Sequence, residues 1–126
     1  MMSDKLVISK LGHTWILDLD GTIVKHNGYK IDGVDTVIPE AKSFIEKIPQ
    51  KDMIVIITSR KTAFKKETED FLKAHNIRFD YIIYDAPYGE RILVNDLKPS
   101  GLKTAYSINC LRDEWLEFAV EENELL

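Results

Sequence analysis

One cysteine, Cys110, is all the chain contains, so no intrachain disulfide can brace it, and no cysteine and histidine cluster has the spacing of zinc ligands. A reducing, cytoplasmic compartment is the expectation. Positive charge is not in excess either. The formal net charge is −4 and the pI about 5.4, which argues against a chain that coats nucleic acid or an anionic membrane, because their phosphates would repel it. No apolar run approaches the length of a membrane span, and residues 1–20 lack the long apolar stretch of a signal peptide. Internal repeats and low-complexity linkers are missing too. What remains is 126 residues, 44% hydrophobic and 30% charged. These describe one globular domain, 1–126, long enough to bury a core.

The most informative stretch is 14–22, Thr-Trp-Ile-Leu-Asp-Leu-Asp-Gly-Thr. Trp15, Ile16, Leu17 and Leu19 predict a short core strand that ends where Gly21 opens a loop. Asp18 and Asp20 sit at that mouth. An unpaired buried carboxylate costs several kcal/mol, so two placed close together call for a proton or a cation. A hard divalent ion such as Mg²⁺ suits an oxygen-only pair. The plainer alternative is an Asp-x-Asp-Gly turn with solvated carboxylates.

Downstream, Asn27-Gly28 interrupts two short extended arms and predicts a tight hairpin. Pro39 occupies a favoured helix-start position, and Ala41, Phe44, Ile45 and Ile48 recur on one helical face. Residues 53–57, Met-Ile-Val-Ile-Ile, form a continuous apolar run suited to a strand buried on both faces. Thr58-Ser59-Arg60 follows its end. Residues 62–74 predict a second amphipathic helix with a solvated Lys/Glu face. Residues 81–84 predict a third strand, and residues 92–94 a fourth that runs into Asn95-Asp96. Residues 104–108 would make a fifth. A closing helix would carry Leu111, Trp115, Leu116, Ala119 and Val120, with an acidic tail from Glu121. Strands interleaved with helices predict an α/β fold with a parallel sheet, whose ligands bind at the carboxyl ends of the strands.

Asp18-Leu19-Asp20-Gly21-Thr22, Thr58 after the second strand and Asn95-Asp96 after the fourth together resemble the motifs of the haloacid dehalogenase-like (HAD) phosphohydrolases. The likeness runs over residues 13–107. It implies a three-layer sandwich with strand order 3-2-1-4-5 and a hairpin flap, and the short gap before Pro39 leaves no room for a cap domain. It also implies roles. Asp18 would be the nucleophile, Asp20 the acid and base, and Thr58 a donor to the phosphate. Asp18, Asp20 and Asp96 would hold Mg²⁺, with Asn95 holding a metal-bound water or a neighbouring ligand. The family's third motif supplies a Lys or Arg, and this chain has Ala86 where it is expected. Lys98 and Arg60 are the candidate substitutes, with Lys61 behind them and Arg91 at the wrong strand end. Ser59, Arg60 and Lys98 join Thr58 as expected substrate contacts.

The function these residues imply is Mg²⁺-dependent hydrolysis of a phosphomonoester through an aspartyl-phosphate. A mutase-type phosphotransferase shares the site and differs in its acceptor. The rival from another class is a catalytically weak module that binds phosphate or a protein partner, for which Ala86 is the main support. A capless site would admit a large substrate, such as a sugar phosphate, nucleotide, lipid head group or phosphoprotein, and a partner subunit in an oligomer would be one way to cover it.

Overall fold

The computed structural model describes residues 4–31 and 33–126. The chain is α/β, with parallel strands in two sheets. It falls into two compact units. One comprises Gly12–Pro87 and Cys110–Leu116, and the other Met1–Leu11, Tyr88–Asn109 and Glu117–Leu126.

The first unit holds a three-stranded parallel sheet. Strand β2 (Thr14–Asp18) pairs with β3 (Met53–Ile57), and β3 with β4 (Tyr81–Ile83). The apolar run of β3 is central, and Ile54 and Ile56 are fully buried. Burial of two such side chains contributes roughly 1.5–3 kcal/mol each. Helix α1 (Gly28–Ile31) is a single turn, whereas α2 (Pro39–Glu46) and α3 (Lys65–Ala74) are the covering helices. Pro39 opens α2 as expected, and Ala41 and Ile45, four apart, turn into the core. From α3, Thr68 and Leu72 do the same. Leu17, Leu19, Ile23, Val24, Ile45, Ile48, Ile54, Ile56, Leu72 and Ile77 form one buried cluster. Trp15 meets Phe44 edge-on, with ring centroids 5.4 Å apart.

The predicted two-residue hairpin is replaced by a wider return. Asn27 does adopt positive φ, at 53°, but the helical turn of α1 follows it. The arms meet further out, through an antiparallel bridge between Val24 and Val37 and a hydrogen bond from Lys25 N–H to the Thr36 carbonyl, 2.9 Å.

The other unit departs further from expectation. Residues 92–94 and 104–108 form no strand. They flank a turn in which Gly101 N–H donates to the Lys98 carbonyl (2.8 Å) and Lys98 N–H to the Leu102 carbonyl (3.1 Å). The Asn95 amide ties the two flanks by donating to Thr104 O and Oγ1. These local side-chain bonds compete with a ladder for the backbone. The closing helix is also absent. Phe118–Glu122 is instead strand β5, paired in parallel with β1 (Asp4–Ile8), which the sequence reading did not anticipate. Phe118 and Val120 favour a pleated strand, and β1 offers Leu6, Val7 and Ile8 as its partner run. Lys5 and Glu121 form an ion pair across it at 2.9 Å. No described helix is long and apolar enough to cross a membrane.

Candidate functional site

Because β2, β3 and β4 are parallel, their carboxyl ends share one sheet edge. Asp18 pairs in register with Ile57, so Asp18 and Thr58 stand at neighbouring strand ends, as expected. After Asp18 the chain turns sharply. The Leu19 carbonyl accepts from Thr22, Ile23 and Val24 N–H groups at 2.9–3.3 Å, and Gly21 N–H donates to the Val24 carbonyl at 2.7 Å. Gly21 sits at φ +86°, a region most residues avoid. The turn tips Asp20 toward Arg60, while Asp18 Oδ2 accepts from the Thr22 hydroxyl at 3.2 Å.

Arg60 is 5% exposed and anchors this edge. A guanidinium has five N–H donors, and each has an acceptor. Nε donates to Asp20 Oδ2 at 3.0 Å and Nη2 to Asp20 Oδ1 at 2.8 Å. Nη2 also donates to Asp35 Oδ1 at 2.7 Å, and Nη1 to Asp35 Oδ2 at 3.1 Å and Thr68 Oγ1 at 3.0 Å. Burial by itself pulls the Arg60 pKa down, but hydrogen bonds and charge from Asp20 and Asp35 hold it well above its ordinary value. With every donor engaged, Arg60 has none left for a phosphate. Two of those donors hold both oxygens of Asp20.

Thr58 is buried. Its Oγ1 accepts from Arg60 N–H at 3.0 Å, which leaves its O–H to donate. Ala86 N–H bonds the Thr58 carbonyl at 3.1 Å, and Asp85 N–H the Arg60 carbonyl at 2.8 Å. The loop after β4 is thereby laced to the loop after β3. Thr62 Oγ1 donates to Asp85, and Ser59 Oγ contacts the Pro87 carbonyl at 3.4 Å. The Ala86 position therefore contributes a backbone N–H and no cation. Tyr84 donates to Glu69 at 3.0 Å; burial first, then that carboxylate, push its phenol above the ordinary value. A cleft of about 200 Å³ lies against this cluster, with Val34, Asp35, Arg60, Phe64, Thr68 and Phe71 among its lining residues.

Asp96 and Lys98 belong to the other unit, where both are exposed. Among the described residues no group of three or more His, Cys, Asp or Glu side chains gathers as a cation site. Asp35 carries no sequence signal, and Thr68 is legible only as part of the packing face of residues 62–74; their common partner, Arg60, is 25 and 8 residues away.

No protein-family model matches the chain, and no curated protein does. A chain of the solved Pnkp1/Rnl/Hen1 complex is similar in structure, with a TM-score of 0.52 and 22% identity over 66% of this chain. The match spans 31% of that chain, and likeness at this identity shows the α/β fold alone.

Proposed function

We propose that the protein is a Mg²⁺-dependent phosphomonoester hydrolase of the HAD-like type. The observation that supports this best is the meeting of Asp18, Asp20 and Thr58 at one end of a parallel sheet, with Asp20 gripped by a buried arginine. In the proposed reaction an Asp18 oxygen attacks phosphorus, the bond to the leaving oxygen breaks, and Asp20 gives that oxygen its proton. Thr58 donates its O–H to a phosphoryl oxygen. Water then attacks the aspartyl-phosphate, passes a proton to Asp20, and frees phosphate and Asp18.

Asp18 and the Asp20 carbonyl offer oxygen donors, which fit an ion that takes one or two carboxylates and fills its octahedron with waters and phosphate. Among the described residues no hydrogen bond of the 18–24 loop ends on that carbonyl. When bound, Mg²⁺ would offset the repulsion between a carboxylate nucleophile and a phosphate dianion. The finer fold belongs to the same proposal. The observed order β4-β3-β2 matches the 3-2-1 part of the expected 3-2-1-4-5.

The rival reading, a phosphate- or protein-binding module, draws on the backbone-only contribution of Ala86 beside Thr58. Both are tested by screening a panel of phosphorylated metabolites with and without Mg²⁺. The enzyme reading expects Mg²⁺-dependent phosphate release by wild type and none by Asp18→Asn. Equal release from both proteins, or none from either, overturns it.

A further inference from the structure

Asp35 lies on the returning arm of the loop after β2, and the backbone just after it is pinned to residues 23–25. The Thr36 carbonyl accepts from Lys25 N–H at 2.9 Å, Val37 bridges Val24, and Ile38 N–H reaches the Ile23 carbonyl at 2.8 Å. Its carboxylate is 8% exposed, and both oxygens accept from Arg60. The guanidinium is a rigid planar fork. One edge of it meets Asp35, and the adjacent edge meets both oxygens of Asp20, which is 17% exposed. The two carboxylates share Nη2, so the fork cannot turn away from one without leaving the other. Thr68 Oγ1 takes the remaining Nη1 donor and closes off rotation from the helix side. A lone Asp20–Arg60 pair would leave one buried Nη1 donor and one Nη2 donor without their carboxylate.

We propose that Asp35 is a positioning residue for the reaction. Acting through Arg60, it holds the Asp20 carboxyl in the orientation that delivers a proton to the leaving oxygen. The proposal rests on the phosphatase reading of Asp18 and Asp20. It extends the working site to a loop residue that acts through Arg60. A proton donor displaced by about 1 Å can lose roughly a hundredfold in rate, and the loss is confined to reactions that need the proton.

The test compares kcat/KM, with Mg²⁺, for p-nitrophenyl phosphate, whose leaving group departs without protonation, and glycerol phosphate, whose alkoxide does not. The value of kcat/KM reports steps up to departure of that group and is blind to the later attack of water. The variants are Asp35→Asn, which removes the charge, and Asp35→Glu, which keeps the ion pair but displaces the fork by one methylene. Asp35→Glu carries the comparison should Asp35→Asn fail to fold. The expected result is a roughly 10- to 100-fold loss on glycerol phosphate, at least tenfold larger than the loss on p-nitrophenyl phosphate. Variants that lose both substrates equally, or neither, overturn the positioning role while the phosphatase reading stands. Wild type that hydrolyses neither ester overturns that reading and the role together.

Discussion

Arg60 and Asp52 show two ways in which a buried charge is made tolerable. Arg60, at the carboxyl edge of the three-stranded sheet, shares its charge between Asp20 and Asp35. Asp52, before β3 at the opposite edge, accepts from His13 N–H and the Trp15 indole, both at 3.0 Å, with His13 Nδ1 3.4 Å away. Burial pushes Asp52 up, but the Trp15 and His13 hydrogen bonds and the His13 charge together hold it below its ordinary 3.8. A depressed carboxyl stabilises the fold fully above its unfolded-state pKa and loses that contribution as pH falls through the folded one. The melting temperature should therefore fall below about pH 4. Asp52→Asn should melt lower at pH 7 and show a shallower acid decline; an unchanged pH profile in that variant would remove Asp52 from the account. Asp18, Asp20 and Thr58 were legible in the sequence because each sits in a short local pattern of apolar strand and polar tip. Asp35, the Arg60 bond of Thr68 and the Asp52 pair were not, since their partners lie far along the chain and no spacing rule connects them.

Strands and helices were legible where periodicity and punctuation agreed. The strand at β3, the Pro39 start of α2 and the amphipathic helix α3 all form, but β3 is fully buried at Ile54 and Ile56 alone, and Met53 is 42% exposed, so burial on both faces does not hold. Residues 92–94 are as apolar as β3, yet Ile92 and Val94 are 86% and 89% exposed. Composition makes a segment able to join a sheet, but only a neighbour's N–H and C=O groups make it a strand. The C-terminal segment fails for another reason: a helical spacing of Leu111, Trp115 and Ala119 competes with the β-preference of Phe118–Glu122, and pairing with β1 decides it. The tight turn between β2 and α1 offers a test at this scale. Gly21 at φ +86° faces Arg112 Cγ, which a Cβ would approach to 3.4 Å. Gly21→Ala should cost about 1–2 kcal/mol from the left-handed conformation, read as a lower denaturant midpoint with an unchanged slope. No change in midpoint would show that the turn relaxes without glycine.

Across the whole molecule, the α/β class follows from alternating apolar runs and amphipathic segments, and the parallel pairing of β2, β3 and β4 brings Asp18 and Thr58 to one edge. The division into two compact units was not legible, because it goes with the pairing of Phe118–Glu122 and Asp4–Ile8, a long-range choice that local pattern does not encode. The central claim is that Asp18 at that edge is a nucleophile. Its most direct test is mass spectrometry of protein mixed with p-nitrophenyl phosphate and Mg²⁺ and quenched in acid. One added phosphoryl group on the peptide carrying Asp18, absent from Asp18→Asn, is the predicted result. A phosphoryl group on any other residue, or turnover that persists in Asp18→Asn, would contradict it.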